Sequence, residues 1–368
     1  MGSALALPMA FSRSAGGLTS AAAADGAAPT RRPQPIGSPV LDSLWPVITG
    51  SRHVRTDVER IREVAQWMAY EKLPFPRFGL DFDPETERDL AIDFAMVSNT
   101  INTAFTDFKT GVKFQTEHEG QTWSDSQAMT ACLKRAMGEG IPILDGRFLA
   151  EVGRDQLDAV FRGNIEMPML DEKLAVLNEV GRGLRERYDG FFHNFVATCS
   201  PRLFDSGKGL VDRLIREFPR FDDVSPYRGH TIQFHKLAQL TYWGLYSGFR
   251  GDGDGGNGDD GGFRIDDIGA MTAFADYIVP VALRVMGILA YTPELDDKIE
   301  RGVLIPRDSD EEIEIRAHMV YATALLTEEV NALRPPELQV IIPQVDARLW
   351  SSYHTTHWPH HLTRTIMY

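Results

Sequence analysis

The stretch DEKLAVLNEVGRGLRERYDG, residues 171–190, decides the fold class. Its apolar side chains recur at intervals of three and four residues, which places them on one face of an α-helix. They are Leu174, Leu177, Val180, Leu184 and Tyr188. Charged and polar residues fill the other positions, and Gly190 marks the end of the pattern. The sequence therefore predicts a long amphipathic helix that packs against a core.

Helix-start and helix-stop signals accompany further periodic segments along the chain. These segments begin at the capping box Thr56-Asp57-Val58-Glu59, at Ser124, at Leu210 and at the helix cap Ser309. Strand-like stretches are few, and only residues 112–116 and 340–345 qualify. We therefore predict a mainly α fold, a single compact helical domain over residues 40–368 with a few short strands.

Charge and composition narrow the class of function. The 368 residues carry a formal net charge of −14 at pH 7, and a duplex or long RNA would be repelled. A small-molecule or mononucleotide substrate fits better, so we expect no nucleic-acid polymer as a partner. We also expect the protein to be a monomer. No apolar run approaches the length that spans a membrane. Cys132 and Cys199 are too few for a disulfide framework, which favours a reducing compartment such as the cytoplasm.

Two segments differ in composition from the rest. Residues 1–38 are rich in Ala, Ser, Gly and Pro, and Asp25 is their only acidic residue. This is typical of a disordered tail, or of a transit segment for organelle import. Residues 247–263 are rich in Gly and Asp, but Phe263 stands where a calcium loop needs its bidentate Glu. We interpret this segment as a flexible loop.

Common cofactor motifs are absent from the sequence. It contains no GxxxxGK[ST], GxSxG or HExxH. Four histidines crowd one end of the chain at His354, His357, His360 and His361. Imidazoles at such intervals can converge on a metal ion, but no helix or strand pattern fixes these and no carboxylate cluster joins them. We therefore expect no metal and no cofactor.

One carboxylate stands beside aromatic residues at the edge of an apolar stretch. The sequence TAFADY, residues 272–277, precedes the apolar residues 278–289. A carboxylate such as Asp276 is costly to bury without a partner, and Lys236 is the candidate partner. Perturbed pairs of this kind occur both in structural ion pairs and in active sites. Residue chemistry alone leaves both interpretations open.

Several short motifs occur in the order found in one known family. They are EGIP at 139–142, LNEVG at 177–181, Lys236-x-Ala238-Gln239, Asp267-Ile268 with Thr272, FADYxxP at 274–280, EIEIR at 312–316, Asp346-x-x-Leu349-Trp350, and the final His361, Arg364, Ile366 and Tyr368. On their collinearity over residues 54–368, the chain resembles the queuosine salvage proteins, which are queuosine 5′-phosphate N-glycosylases.

The resemblance implies a fold and a reaction. The fold would be helical and related in architecture to the DNA glycosylases. The reaction would be hydrolysis of the N-glycosidic bond of queuosine 5′-monophosphate, releasing queuine and ribose 5-phosphate, for salvage of queuine toward tRNA modification.

The resemblance also implies roles for individual residues. Asp276 and Lys236 match the family's catalytic pair, while Phe274 and Asp346 match residues that line the queuine pocket. Further substrate-binding candidates are Tyr277, Trp350, Asn102 and Arg364. Arg316 and Arg364 either bind the 5′-phosphate or anchor helix ends. Phe274 and Trp350, considered without the resemblance, are more typical of core residues.

The chain departs from the family pattern at Asp83, Asn99, Gly244 and Ser351. These departures leave the reaction type standing, but they bear on substrate preference and weaken Asn99, Asp83 and Ser351 as substrate contacts. Two other functions remain open at this point. One is a DNA-repair-type base glycosylase, which would need a basic face that a charge of −14 disfavours. The other is a non-enzymatic helical binding protein in which Lys236 and Asp276 only pair.

Overall fold

Helices dominate the structure, which is a computed structural model that describes residues 31–33, 37–76, 82–83, 86–249 and 262–368. The predicted mainly α class is confirmed. Most of residues 1–38 and of the Gly/Asp loop 247–263 lie outside the described residues, so the predictions for both remain predictions.

The α-helices of the described part are numbered in chain order. They are α1 (Pro39–Ser43), α2 (Trp45–Gly50), α3 (Val58–Met68), α4 (Arg88–Thr100), α5 (Asp125–Gly138), α6 (Gly146–Leu149), α7 (Arg154–Val160), α8 (Leu170–Arg187), α9 (Phe192–Ala197), α10 (Leu210–Glu217), α11 (Lys236–Gly248), α12 (Val279–Val285), α13 (Pro293–Glu300), α14 (Asp310–Ala332) and α15 (Ile342–Tyr353).

The strands of the described part form two-stranded antiparallel ribbons. They are β1 (Val54–Thr56) with β6 (Leu289–Tyr291), β2 (Gln115–His118) with β3 (Gln121–Ser124), and β4 (Val224–Tyr227) with β5 (His230–Gln233). The predicted strand at 112–116 is confirmed only at its last two residues, Gln115 and Thr116.

Two local sequence predictions were wrong in detail. Residues 340–345 are not a strand, because Pro343 lies in the first turn of α15, where its missing N–H costs no helical hydrogen bond. Thr56 is not the cap of α3, since the Asp57 side chain accepts the Arg60 N–H at 3.0 Å. The Thr56 hydroxyl instead lies 2.8 Å from His318 Nδ1. The cap at Ser309 is confirmed, as its side chain accepts the Glu312 N–H.

Buried apolar side chains of the described residues form two clusters. The α8 core joins α4, α5, α8 and α11, with Met96, Leu133, Leu177 and Trp243 among its members. The α14 core surrounds α14 with α3, α12 and α15, and includes Ile61, Leu283, Met319 and Val345. None of the described helices has the length and apolar character that crossing a bilayer requires.

The segment 272–278 runs between these two cores. Phe274 belongs to the α8 core, whereas its neighbours Ala273 and Ala275 belong to the α14 core. This alternation is what an extended chain produces, because successive side chains point to opposite sides. The carboxylate that stood out in the sequence, Asp276, therefore lies where the two cores meet.

Candidate functional site

A buried glutamine holds the segment 272–278 against α11. Gln239 Oε1 accepts the backbone N–H of Thr272 at 2.9 Å, and Gln239 Nε2 donates to the Phe234 carbonyl and to Thr272 Oγ1, both at 3.0 Å. Gln239 and Thr272 are both fully buried. These bonds fix the chain that carries Asp276 relative to the first turn of α11, where Lys236 lies.

Asp276 is a buried carboxyl with a fixed orientation. Its side chain is 6% exposed, and Oδ1 accepts the N–H groups of Ile278 at 3.0 Å and Val279 at 2.9 Å. Burial raises the pKa of Asp276, while the Lys236 charge and the two N–H donors act in the lowering direction. The carboxyl thus has one oxygen held by the backbone at the start of α12.

Lys236 is the first residue of α11, and its charge acts on Asp276. The residue before it, His235, has a left-handed backbone (φ 45°), which turns the chain sharply into the helix. Lys236 is 9% exposed, and burial lowers its pKa although the nearby Asp276 acts to raise it. Among the described residues, its ammonium forms no hydrogen bond or closed ion pair. The two charges therefore face each other without closing into a structural salt bridge.

Asp346 adds a second buried carboxyl to the site. It lies on α15, is 4% exposed, and its Oδ2 accepts the backbone N–H of Phe274 at 3.0 Å. Burial, followed by the charge of Asp276, raises the pKa of Asp346 well above its usual range. Asp276, Asp346 and Lys236 thus form one electrostatic unit in which each group affects the protonation of the others.

The two predicted aromatic residues of the segment lie close to this unit. The Phe274 ring is 5% exposed and packs in the α8 core. Tyr277 is partly buried, with its ring 4.5 Å from that of His360, and burial followed by the charge of Asp276 raises its pKa. Both therefore flank Asp276 along the chain, one toward the α8 core and one toward His360.

The remaining predicted contacts lie outside this unit. Trp350 follows Asp346 by one turn of α15, is 39% exposed, and stacks on His354 with ring centroids 4.2 Å apart. Asn102 donates to Asn99 Oδ1 at 3.1 Å, and the exposed Arg364 pairs with Glu172. The structure thus brings together five of the predicted residues, whereas these three make their contacts with other partners.

The four positions that depart from the family pattern have ordinary local surroundings. A side chain at Gly244 on α11 would meet no atom within 4 Å, so the backbone there does not require glycine. Ser351 is exposed and bonds the Arg348 carbonyl at 3.2 Å. The amide of Asn99 donates to Ala95 O at 3.0 Å, and the backbone N–H of Asp83 donates to Glu87 at 2.9 Å.

Sequence reasoning missed an ion pair beside the site. Arg316 on α14 is fully buried and donates to both oxygens of Asp223, so its guanidinium is enclosed and does not face an accessible phosphate pocket. Of the two roles open from the sequence, the structure favours anchoring. The signal was present as Glu312-x-x-x-Arg316, an i,i+4 charge pair within an otherwise apolar helix. Asp223 had no comparable signal.

The histidines near the end of the chain do not converge. His354 stacks on Trp350 and His357 on Trp358, while the ring of His360 lies tilted against that of Tyr277. Within the described residues, no group of His, Cys, Asp and Glu side chains is arranged to hold a metal ion.

Comparison with known proteins gives a family match. The profile of a family described as "Queuosine salvage protein" matches residues 82–368. The chain belongs to the queuosine salvage protein family. The part that matches this family includes α11, the segment 272–278 and α15, and hence every residue of the electrostatic unit.

Individual members of the family align over nearly their whole length. A protein of Sphaerobacter thermophilus is 34% identical, covering 89% of this chain and 97% of that protein. A protein of Bos taurus is 29% identical over 88% and 96%, and one of Mus musculus 27% identical over 88% and 96%. Each of the three is called queuosine 5′-phosphate N-glycosylase/hydrolase.

Proposed function

We propose that this protein is a hydrolase that cleaves the N-glycosidic bond of queuosine 5′-monophosphate. The products are queuine and ribose 5-phosphate, and the queuine is salvaged for tRNA modification. The observation that carries the proposal is the buried Asp276, oriented by two backbone N–H groups and facing Lys236 without pairing with it. The name shared by its relatives supplies the substrate.

Asp276 stabilises the sugar as the bond to the base breaks. Glycosidic cleavage builds positive charge on the ribose through an oxocarbenium-like transition state. A fixed carboxylate beside the anomeric carbon opposes that charge most effectively where water is excluded, as at the seam between the two cores. The Oδ1 atom is already held by the Ile278 and Val279 N–H groups, so Oδ2 is the oxygen that faces the sugar.

Asp346 and Phe274 receive the base. In a 7-deazaguanine, carbon replaces N7, so protonation at that position cannot help the base depart. Hydrogen bonds to the guanine-like edge must therefore stabilise the departing base. Asp346 can accept from the N–H groups of that edge or pair with the ammonium of the queuine side chain. Phe274 offers a stacking face, worth roughly 1–3 kcal/mol per base.

Lys236 holds Asp276 in its ionised form. Its positive charge acts to lower the pKa of that carboxyl against the effect of burial. Since its ammonium has no closed partner in the described residues, it is also able to bind the ribose or the phosphate. We keep Tyr277, Trp350, Asn102 and Arg364 as further candidate contacts.

We further propose that the protein acts as a monomer on a free nucleotide in the cytoplasm. A net charge of −14 disfavours binding to nucleic-acid polymers. Cys132 and Cys199 are both free thiols, as in a reducing compartment.

Release of queuine from queuosine 5′-monophosphate by the wild type, Asp276→Asn and Asp93→Asn tests the proposal. Asp93 is an equally buried carboxyl that binds His193 rather than the site. We expect release by the wild type and by Asp93→Asn, and a loss of at least about 100-fold in kcat for Asp276→Asn. If the wild type releases no queuine, the proposal fails.

The same protein incubated with duplex DNA at low salt tests the repair-type alternative. We expect no detectable binding, because the net charge repels the phosphate backbone. Tight, salt-sensitive binding with release of a base from the duplex would favour a DNA glycosylase instead.

A further inference from the structure

The guanidinium of Arg316 is enclosed between an acid and two aromatic rings. Arg316 is fully buried, and its Nη1 and Nη2 atoms donate to the two oxygens of Asp223 at 3.1 and 2.5 Å. Its central carbon lies 4.0 Å from the ring centroid of Phe234 and 4.1 Å from that of Tyr368. Stacking and a bidentate carboxylate together leave the guanidinium a single orientation.

This pair is bonded to the segment that carries each of the two candidate catalytic residues. Arg316 Nε donates to the carbonyl of Ala275, the residue directly before Asp276, at 3.1 Å. On the other side, the Asp223 carbonyl accepts the N–H groups of Phe234 at 2.9 Å and His235 at 3.0 Å, directly before Lys236. The Lys236 N–H itself lies 3.4 Å from Asp223 Oδ2.

The two carboxyls near Arg316, those of Asp223 and Glu312, have pKa values shifted in opposite directions. Burial acts to raise the pKa of Asp223, but the charge and hydrogen bonds of Arg316 outweigh it, and the net direction is down. Burial raises the pKa of Glu312, the other carboxyl near Arg316. Asp223 is therefore the ionised partner of Arg316. A buried ion pair often adds little net stability, so stability alone does not explain why Arg316 and Asp223 lie beside the site.

We propose that Arg316, held by Asp223 and Tyr368, is a positioning residue that sets the separation between the Asp276 carboxylate and the Lys236 ammonium. The proposal rests on the proposed function for the meaning of that separation. Arg316 does not touch the substrate, because its side chain is fully enclosed and each of its three nitrogen atoms donates to a protein acceptor.

Arg316→Lys tests the proposal, because it keeps the charge but removes the fork that joins Asp223 to the Ala275 carbonyl. We expect kcat to fall roughly 100-fold, since misplacement by about 1 Å costs that much, with KM within about threefold of wild type. The amides of Ile278 and Val279, which bind Asp276, should also exchange hydrogen faster. This second measurement needs no substrate.

Glu314→Gln is the matched control on the same helix. Glu314 is also fully buried, but it accepts the N–H groups of Arg52 and His53, which lead into strand β1, and of Val54, the first residue of β1. We expect this variant to lower Tm while kcat and the exchange at Ile278 and Val279 stay at the wild-type level. An equal fall of kcat in Glu314→Gln would mean that the effect of Arg316→Lys is general destabilisation, and would overturn the proposal.

Substitutions of Tyr368 decide the question if Arg316→Lys does not fold. Tyr368→Phe keeps the stacked ring and should keep kcat within about threefold, whereas Tyr368→Leu should lose roughly tenfold or more. Wild-type kcat in Arg316→Lys, or in Tyr368→Leu, with unchanged amide exchange overturns the proposal. Failure of the wild type to release queuine contradicts the proposed function instead, and the exchange measurements still test the positioning role.

Discussion

At Asp276, burial and hydrogen bonding act in opposite directions on one carboxyl. Burial raises its pKa, and the charge of Lys236, the N–H groups of Ile278 and Val279, and the charge of Arg316 oppose that rise. The charge of Asp276 in turn acts to raise the pKa of Asp346 and of Tyr277. The net direction for Asp276 is upward, so its carboxylate is lost on acidification at a higher pH than that of an ordinary Asp.

Lys236→Met should move the acidic limb of the pH profile. In the proposed mechanism the ionised form of Asp276 is the active one, so we expect kcat/KM to fall as pH drops through its pKa. The Lys236 charge lowers that pKa, and its removal should shift the limb to higher pH. Profiles of kcat/KM for the wild type, Lys236→Met and the charge-conserving Lys236→Arg measure this. A limb that stays in place in Lys236→Met would show that the two groups do not interact.

At the scale of elements, the periodic segments and the Ser309 cap were predicted from the sequence, whereas the Thr56 cap was wrong and the β4–β5 ribbon was not predicted. The stretch 171–190 became α8, since its apolar face is buried in the α8 core. The β4–β5 ribbon, which leads into α11 and Lys236, was missed because its strands are only four residues each and are paired by local turns. The strand prediction for residues 340–345 was wrong because an apolar run with a proline is compatible with a short strand as well as with a helix start.

Only part of the candidate site could be predicted from the sequence, because some of its contacts join residues far apart in the chain. Asp276 and Lys236 stand out by their chemistry and by motif order. Asp223 lies 93 residues before its partner Arg316, and only the packing of α14 against the turn after residue 221 joins them. Long-range pairs of this kind leave no periodic trace in one sequence.

Gln239→Leu should separate α11 from the segment 272–278. The substitution leaves the Thr272 N–H and the Phe234 carbonyl buried without partners, which costs about 1–3 kcal/mol for each group. We expect a lower free energy of unfolding, measured with urea, and a fall in kcat. Asn331→Leu is the control, because Asn331 makes a similar pair of bonds to Val340 at the end of α14. It should lose stability and keep kcat.

At the scale of the molecule, the segment 272–278 is shared by the α8 core and the α14 core. Phe274 packs in the first, and Ala273 and Ala275 in the second. Asp346 links the two cores, since it comes from α15 of the α14 core and accepts the N–H of Phe274. Movement of one core relative to the other would therefore change the geometry of the site directly.

Phe274→Ala should affect stability and base binding together. Removing a buried Phe side chain costs about 3–5 kcal/mol, and here the cavity opens at the seam between the two cores. We expect a broader or divided unfolding transition in calorimetry, because the ring contributes to the coupling of the cores. Loss of the stacking face should also raise KM by roughly 5- to 150-fold, which corresponds to about 1–3 kcal/mol.

Phe195→Ala separates these two effects. Phe195 is fully buried within the α8 core, away from the segment 272–278, so its removal should cost a similar free energy of unfolding. Its transition should stay single, and its KM should match the wild type, because neither the seam nor the base contacts change. If Phe195→Ala raises KM as much as Phe274→Ala, loss of stability explains the effect. Phe274 would then be a core residue, and the base would stack elsewhere.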